Sequence, residues 1–236
     1  MFKTINIFMK TIAFVVAMQS EFDLVMGFLE KPCIVNLNKF HAVEGFKGDT
    51  KVILMKLGIG KVNAALGVSE LIRYYSPTYI VNTGVAGGIG AGVRQGDIIV
   101  ADKCCYHDVW CGSGSYGQVQ DFPLYYSSNN NLLDIIRNID NDKIKVGLIC
   151  TGDQFITDVY QIQLIKNYFP DVLAVDMESA ACAQTCFIYN TPFISLRIIS
   201  DTPGEHDDNF VQYEQFFKEA PKHTFSVVVA LLNAIM

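Results

Sequence analysis

The feature that most constrains this chain is an alternation. From residue 11 onward, short apolar runs of strand length take turns with longer stretches of helical spacing. Strand-like runs cover 11–18, 78–82, 97–106, 144–151, 172–175 and 192–200. Two or three more fall within 33–56, where Glu44-Gly45 and Lys47-Gly48-Asp49 mark turns. Helical stretches cover 21–30, 61–75, 132–139, 157–168 and 178–189, and Pro32, Pro77 and Pro170 stop three of them. A last helical region spans 209–235, interrupted at Pro221, and 110–131 is irregular. Alternating α and β elements predict one sheet sandwiched by helices in a single α/β domain. The 236 residues are 50% apolar, enough to fill one large core.

Charge and cysteine usage exclude several function classes. The formal charge is −6 and no Lys/Arg cluster occurs, which argues against nucleic-acid or membrane-surface binding. No apolar run reaches the ~18 residues of a membrane span. Lys3 and Lys10 precede an apolar segment, but Gln19, Ser20 and Glu21 follow at once without a small-residue cleavage site, so 11–18 reads as a strand rather than a leader. Residues 1–10 read as an N-terminal extension and 11–236 as the domain, with Met9 an alternative start. The seven cysteines include no C-x-x-C pair, and the four histidines do not sit at zinc spacings from them. Reduced thiols in a cytoplasmic protein are the expectation. A charged fraction of only 18% implies much buried surface, a subunit interface included.

In open α/β sheets, ligands bind at the carboxyl ends of the strands. Three carboxylates fall within a few residues of a strand end: Glu21, Glu178 and Asp201. Each has an ordinary alternative. Glu178 suits a first-turn acid at a helix N-terminus, worth ~0.3–1 kcal/mol. Asp201 suits a turn before Pro203-Gly204, and Glu21 suits a solvated acid on a short helix. Arg197 lies inside an apolar strand, where a charge needs a partner. The glycine runs fit neither a Walker A loop nor G-x-G-x-x-G. They suit either close strand-to-helix packing or backbone approach to a small ligand. His107-Asp108 and Glu205-His206-Asp207-Asp208 read as a metal site or, more simply, as solvated loops.

Seven segments in order resemble the 5′-methylthioadenosine/S-adenosylhomocysteine nucleosidase family of the nucleoside phosphorylase/nucleosidase superfamily. They are Ala17-Met18-Gln19-Ser20-Glu21, Gly58-Ile59-Gly60-Lys61-Val62-Asn63-Ala64-Ala65, Asn82-Thr83-Gly84-Val85-Ala86-Gly87-Gly88, Tyr106-His107-Asp108, Thr151-Gly152-Asp153-Gln154-Phe155-Ile156, Ala174-Val175-Asp176-Met177-Glu178-Ser179-Ala180-Ala181 and Arg197-Ile198-Ile199-Ser200-Asp201. The resemblance implies a three-layer αβα sandwich around a central mixed β-sheet. It implies a homodimer whose partner chain approaches the 5′ pocket, and no cofactor or metal. It implies that Asp201 protonates the purine at N7 with Ser200 steadying that loop, and that Glu21 activates water near Arg197. Glu178 would bind the ribose hydroxyls with Met177 packed on the sugar. Phe155 would stack on the base, and the Ile156 backbone would read its edge. Met18, Ile59, Val85 and Tyr213 would complete the pocket.

Two departures bear on this reading. The family usually has Ser or Thr at the position of Val85, and segment 104–126 is unusually rich in Cys, Gly and Tyr. The rival within the superfamily is a purine nucleoside phosphorylase. In those enzymes the loop matching 82–85 carries an Arg and a Ser for phosphate, where this chain has Asn82 and Val85. A non-catalytic nucleoside-binding protein is the reading from another class, and the presence of all three carboxylates speaks against it.

Overall fold

The computed structural model describes residues 10–204, 209–219, 229–230 and 233–234. The expected extension 1–10 (apart from Lys10), the acidic loop 205–208 and the Pro221 interruption lie outside the described residues.

The chain runs β1 (Thr11–Val16), α1 (Gln19–Met26), β2 (Glu30–Leu37), β3 (Phe40–Lys47), β4 (Thr50–Lys56), α2 (Lys61–Tyr75), β5 (Tyr79–Gly88) and β6 (Ile98–Tyr106). It continues through β7 (Tyr126–Ser127), α3 (Asn130–Arg137), β8 (Ile144–Thr151), α4 (Val159–Tyr168), β9 (Val172–Asp176), α5 (Ser179–Ile188), β10 (Phe193–Asp201) and α6 (Asn209–Glu219). These strands join one mixed sheet with the path β10-β6-β8-β9-β5-β1-β4-β3-β2, and β7 pairs with β6 off that path. A further pairing of β10 with β5 closes β5, β9, β8, β6 and β10 into a ring, a small barrel from which β1, β4, β3 and β2 extend as an open sheet.

Strand alternation divides the core. Ala13 and Val15 of β1 and Ile53 and Met55 of β4 face one side, where α2 and α5 supply Val68, Leu71 and Cys182. Ile12, Phe14, Val52 and Leu54 face the other, against Phe22 of α1, Leu132 of α3 and Phe216 of α6. A third cluster under α4 joins Ile162 and Ile165 to Cys150 and Val175.

The largest departure from the sequence expectation concerns β5. The strand was expected to end at 82 and give way to a glycine loop, yet it continues to Gly88. Those glycines are in the sheet because the neighbouring strands β9 and β10 pair closely with them. Gly84 and Gly87 pair with Arg197 and Asp201 of β10, and Gly87 and Gly88 pair with Val175 and Ala174 of β9. A Cβ at Gly88 would stand 2.8 Å from both Ile199 and Val93, so the barrel closes only around bare backbone here. The irregular stretch 110–131 is also broken up: it contains β7 and the start of α3.

Candidate active site

The carboxyl ends of β1, β9 and β10 and the stretch 85–87 of β5 converge on a cavity of about 380 Å³. That volume suits a nucleoside-sized ligand. Every residue proposed from the sequence lines it: Met18, Glu21, Ile59, Val85, Phe155, Ile156, Met177, Glu178, Arg197, Ser200, Asp201 and Tyr213. Seven others share the wall, namely Ala17, Ala86, Gly87, Gln154, Val175, Asp176 and Phe210. All but Phe210 are sequence neighbours of proposed residues. Phe210 follows the loop 205–208, and no strand end pointed to it.

Glu21 is the third residue of α1, and its carboxylate folds back over the helix start. Oε2 accepts hydrogen bonds from the backbone N–H groups of Ala17 (2.9 Å) and Met18 (3.0 Å). This is the reach-back of a capping box, and Oε1 also accepts from the Val85 N–H at 3.1 Å. The side chain is buried, so the solvated-acid alternative fails. Burial raises its pKa, against the opposing pull of Arg197 and these three N–H groups. Val85 thus serves the site through its backbone, while its side chain packs on the core beside β1 and α1.

Arg197 is 1% exposed, and its partners come from three elements. Nε lies 2.8 Å from Asp176 Oδ2 and donates to Ser179 Oγ at 3.2 Å. Nη2 donates to Asn82 Oδ1 at 2.7 Å and to Glu178 Oε2 at 3.3 Å. Burial alone would lower its pKa, but Asp176, Glu178 and Glu21 keep it above the ordinary range, so the guanidinium is charged. Asp176 is also bound by Thr151 Oγ1 at 2.5 Å and by Ser179 Oγ. Asp176 therefore supplies the partner that Arg197 required, a role the sequence could not assign because it crosses from β9 to β10. Gly84 must be glycine for the same reason: its Cβ would lie 2.5 Å from both Arg197 Nη1 and Glu21 Oε1.

Glu178 precedes α5, but its carboxylate does not cap that helix. Oε1 instead accepts the Gly60 N–H at 3.0 Å. Burial pushes its pKa up to about 7, with Arg197 opposing and Asp176 adding to the rise. Asp201 ends β10, and Ser200 Oγ donates to its Oδ1 at 2.6 Å. Its Oδ2 is buried and finds no hydrogen-bond partner among the described residues. Burial raises Asp201 to about 6, only partly offset by Ser200. The apolar wall is Phe155 set edge-on to Tyr213, with ring centroids 5.7 Å apart. Tyr213 in turn donates to Met18 Sδ at 2.9 Å.

Of the possible metal ligands, Asp108 is engaged by Lys61 Nζ at 2.7 Å, 205–208 lies outside the described residues, and no group of three metal-ligating side chains occurs among those described.

A mixed sheet partly closed into a barrel, with a carboxylate-lined cleft, is the setting of a match to the phosphorylase superfamily over residues 11–233. Among curated relatives, a 5′-methylthioadenosine/S-adenosylhomocysteine nucleosidase from Geobacillus thermodenitrificans is 34% identical over 229 residues, covering 94% of this chain and 96% of that protein. The corresponding protein of Bacillus subtilis is 33% identical, covering 95% and 99%. The crystal structure of S-adenosylhomocysteine nucleosidase from Streptococcus pyogenes, in complex with 5-methylthiotubericidin, superposes with a TM-score of 0.92 at 32% identity, covering 98% of this chain and 99% of that one. The Neisseria meningitidis nucleosidase with methylthio-immucillin-A gives 0.89 at 32% identity, covering 95% and 99%. This chain belongs to the 5′-methylthioadenosine/S-adenosylhomocysteine nucleosidase family.

Proposed function

We propose that this enzyme uses water to cleave the N-glycosidic bond of adenine nucleosides such as 5′-methylthioadenosine and S-adenosylhomocysteine, releasing adenine. One observation carries the reading. Glu21, Glu178 and Asp201 surround a single cavity, and Arg197, the one cation among its described lining residues, is already engaged by Asp176, Asn82 and Glu178. A phosphate acceptor needs free cationic donors, whereas water needs one positioned base.

Adenine leaves badly as an anion, so protonation at N7 assists the break. Asp201, raised to about 6 by burial, is the group best placed to hold that proton. As the sugar gains oxocarbenium character, negative charge beside it stabilises the transition state. Glu178 takes the ribose hydroxyls and Met177 packs on the sugar. Glu21, held by three backbone N–H groups, orients the water and accepts its proton. Phe155 stacks on the base, the Ile156 backbone reads its edge, and Ser200 steadies Asp201. Met18, Ile59 and Tyr213 wall the 5′ side, with Val85 keeping its backbone N–H on Glu21. No step requires a cofactor or metal.

The two-sided division of the core supports a three-layer αβα arrangement, in a domain proposed to span 11–236 after an extension of residues 1–10. A homodimer with the partner chain near the 5′ pocket completes the proposal. The seven free cysteines fit a reducing cytoplasm. Relatives captured with adenine and with methylthio-immucillin-A support the base and the 5′ group.

The test is adenine release from 5′-methylthioadenosine in phosphate-free buffer, repeated with phosphate. The expected products are adenine and free methylthioribose at a rate indifferent to phosphate. Release that requires phosphate and yields a sugar 1-phosphate would overturn the hydrolytic reading.

A further inference from the structure

Three of the family-like segments contain residues that the chemistry leaves unused: Gly58-Ile59-Gly60-Lys61, Tyr106-His107-Asp108 and Thr151-Gly152-Asp153. The structure locks them together. Lys61 Nζ donates to Asp108 Oδ1 (2.8 Å) and Oδ2 (2.7 Å) and lies 3.8 Å from Asp153 Oδ2. The Lys61 backbone N–H donates to Asp153 Oδ1 at 2.8 Å, and the Asp153 N–H donates to Asp108 Oδ2 at 2.9 Å. His107 packs its ring on Gly152, where a Cβ would overlap it, and its N–H donates to Thr151 O at 2.9 Å.

Lys61 and Asp108 are only 23% and 20% exposed, so the pair is shielded from solvent more than an ordinary surface ion pair.

The start of α2 shows what the clasp does. Its N-cap is Gly60, which has no side chain to satisfy the free N–H groups of the first turn. Two carboxylates from distant loops take them instead: Asp153 accepts from Lys61, and Glu178 accepts from Gly60. Gly60 sits at φ +97°, a conformation that favours glycine, and a Cβ there would come 3.1 Å from Asp153 Oδ1, a tight approach. Ile59 on one side of the clasp, and Phe155 and Ile156 on the other, line the cavity.

We propose that Lys61, Asp108 and Asp153 are positioning residues for the nucleoside: their clasp sets the distance between the two walls of the cleft and aims the Gly60 N–H at Glu178. None of the three touches the reacting atoms. The assignment rests on the nucleosidase reading, and its effect therefore falls on substrate binding rather than on the chemical step. Glu178 is faced by Arg197, Asp176, Glu21 and the Gly60 N–H, and the clasp governs only the last of these.

The test compares Lys61→Met and Lys61→Arg with the wild type in steady-state kinetics and amide hydrogen exchange. Losing one shielded charge-assisted pair should raise KM for 5′-methylthioadenosine about tenfold in Lys61→Met. There kcat should stay within about threefold, and Lys61→Arg should restore KM. Exchange at 58–61 and 152–156 should quicken in Lys61→Met alone, with the remaining peptides unchanged. A Lys61→Met enzyme with wild-type KM and wild-type exchange would overturn the assignment, as would a loss confined to kcat. The exchange measurement needs no turnover. If the wild type proved unable to cleave the nucleoside, the nucleosidase reading would fail while the exchange still judged the clasp.

Discussion

At the scale of the residue, the site is a problem of charge. One buried guanidinium faces Asp176, Glu178 and Glu21, and a fourth carboxyl, Asp201, has one oxygen without a partner among the described residues. Asp201 is held near 6 in the folded state by burial, against an ordinary value of 3.8. Two consequences follow from that one shift. The acid must be protonated to serve N7, so kcat/KM should fall about tenfold per pH unit above pH 6. Asp201→Asn should cost about 10²–10⁴-fold below pH 6, a gap that narrows as the wild-type acid ionises, and retention of near wild-type turnover there would remove Asp201 as the acid. The second consequence is for stability. Below the unfolded pKa the carboxyl is protonated in both states and costs nothing. As pH rises towards 6 the unfolded chain ionises first, so the folded state loses stability on the order of 3 kcal/mol. The Asn variant escapes that loss. Its melting temperature relative to wild type should therefore climb between pH 4 and 7, as differential scanning calorimetry would show. A constant difference across that range would mean Asp201 is not perturbed.

At the scale of the element, β5 both closes the barrel and floors the site. Its glycines separate those two duties. A Cβ at Gly88 would press on the stiff side chains of Ile199 and Val93, and one at Gly84 would press on Arg197 and Glu21. Gly88→Ala and Gly84→Ala should each destabilise by about 1–3 kcal/mol through overpacking. Only Gly84→Ala should also abolish adenine release, because it displaces the base and the buried cation together. Equal loss of activity in both variants would show that β5 fails as a unit. The same strand marks the limit of the sequence. Apolar runs at 11–18 and 144–151 disclosed strands, and the candidate residues that follow them line one cavity. Residues 84–88 carry no such pattern, since pairing on both sides, not side chains, makes them a strand. Asn82 and Asp176 were present in the quoted motifs, but their bonds to Arg197 exist only once β5, β9 and β10 are adjacent. Arg197's need for a partner was legible; the partner's identity required the register.

At the scale of the whole molecule, the question is what covers the mouth of the cleft. Ile59 lines the cavity yet is 51% exposed, and Val62 and Leu66 of α2 are 69% and 60% exposed. Spaced three and four residues apart, they form one apolar stripe running from the cleft along the helix. α5 lies against α2, joined by the 2.8 Å hydrogen bond between Ser69 and Tyr189, and it leaves Phe187 and Ile188 exposed as well. Exposed apolar residues of this kind are where the proposed second copy would dock. Because the stripe begins at a cavity-lining residue, a second copy docked on it would help to enclose the 5′ substituent. Assembly and substrate affinity should then change together. Val62→Glu combined with Leu66→Glu places two like charges in the stripe, and like charges confined against an apolar partner cost several kcal/mol. The wild type should sediment as a dimer and the double variant as a monomer. The monomer should bind 5′-methylthioadenosine about tenfold more weakly, while free adenine, which lacks the 5′ group, should bind as before. A wild-type monomer, or a double variant that stays dimeric, would place the partner elsewhere. A monomer with undiminished affinity for the nucleoside would show that each chain closes its own pocket.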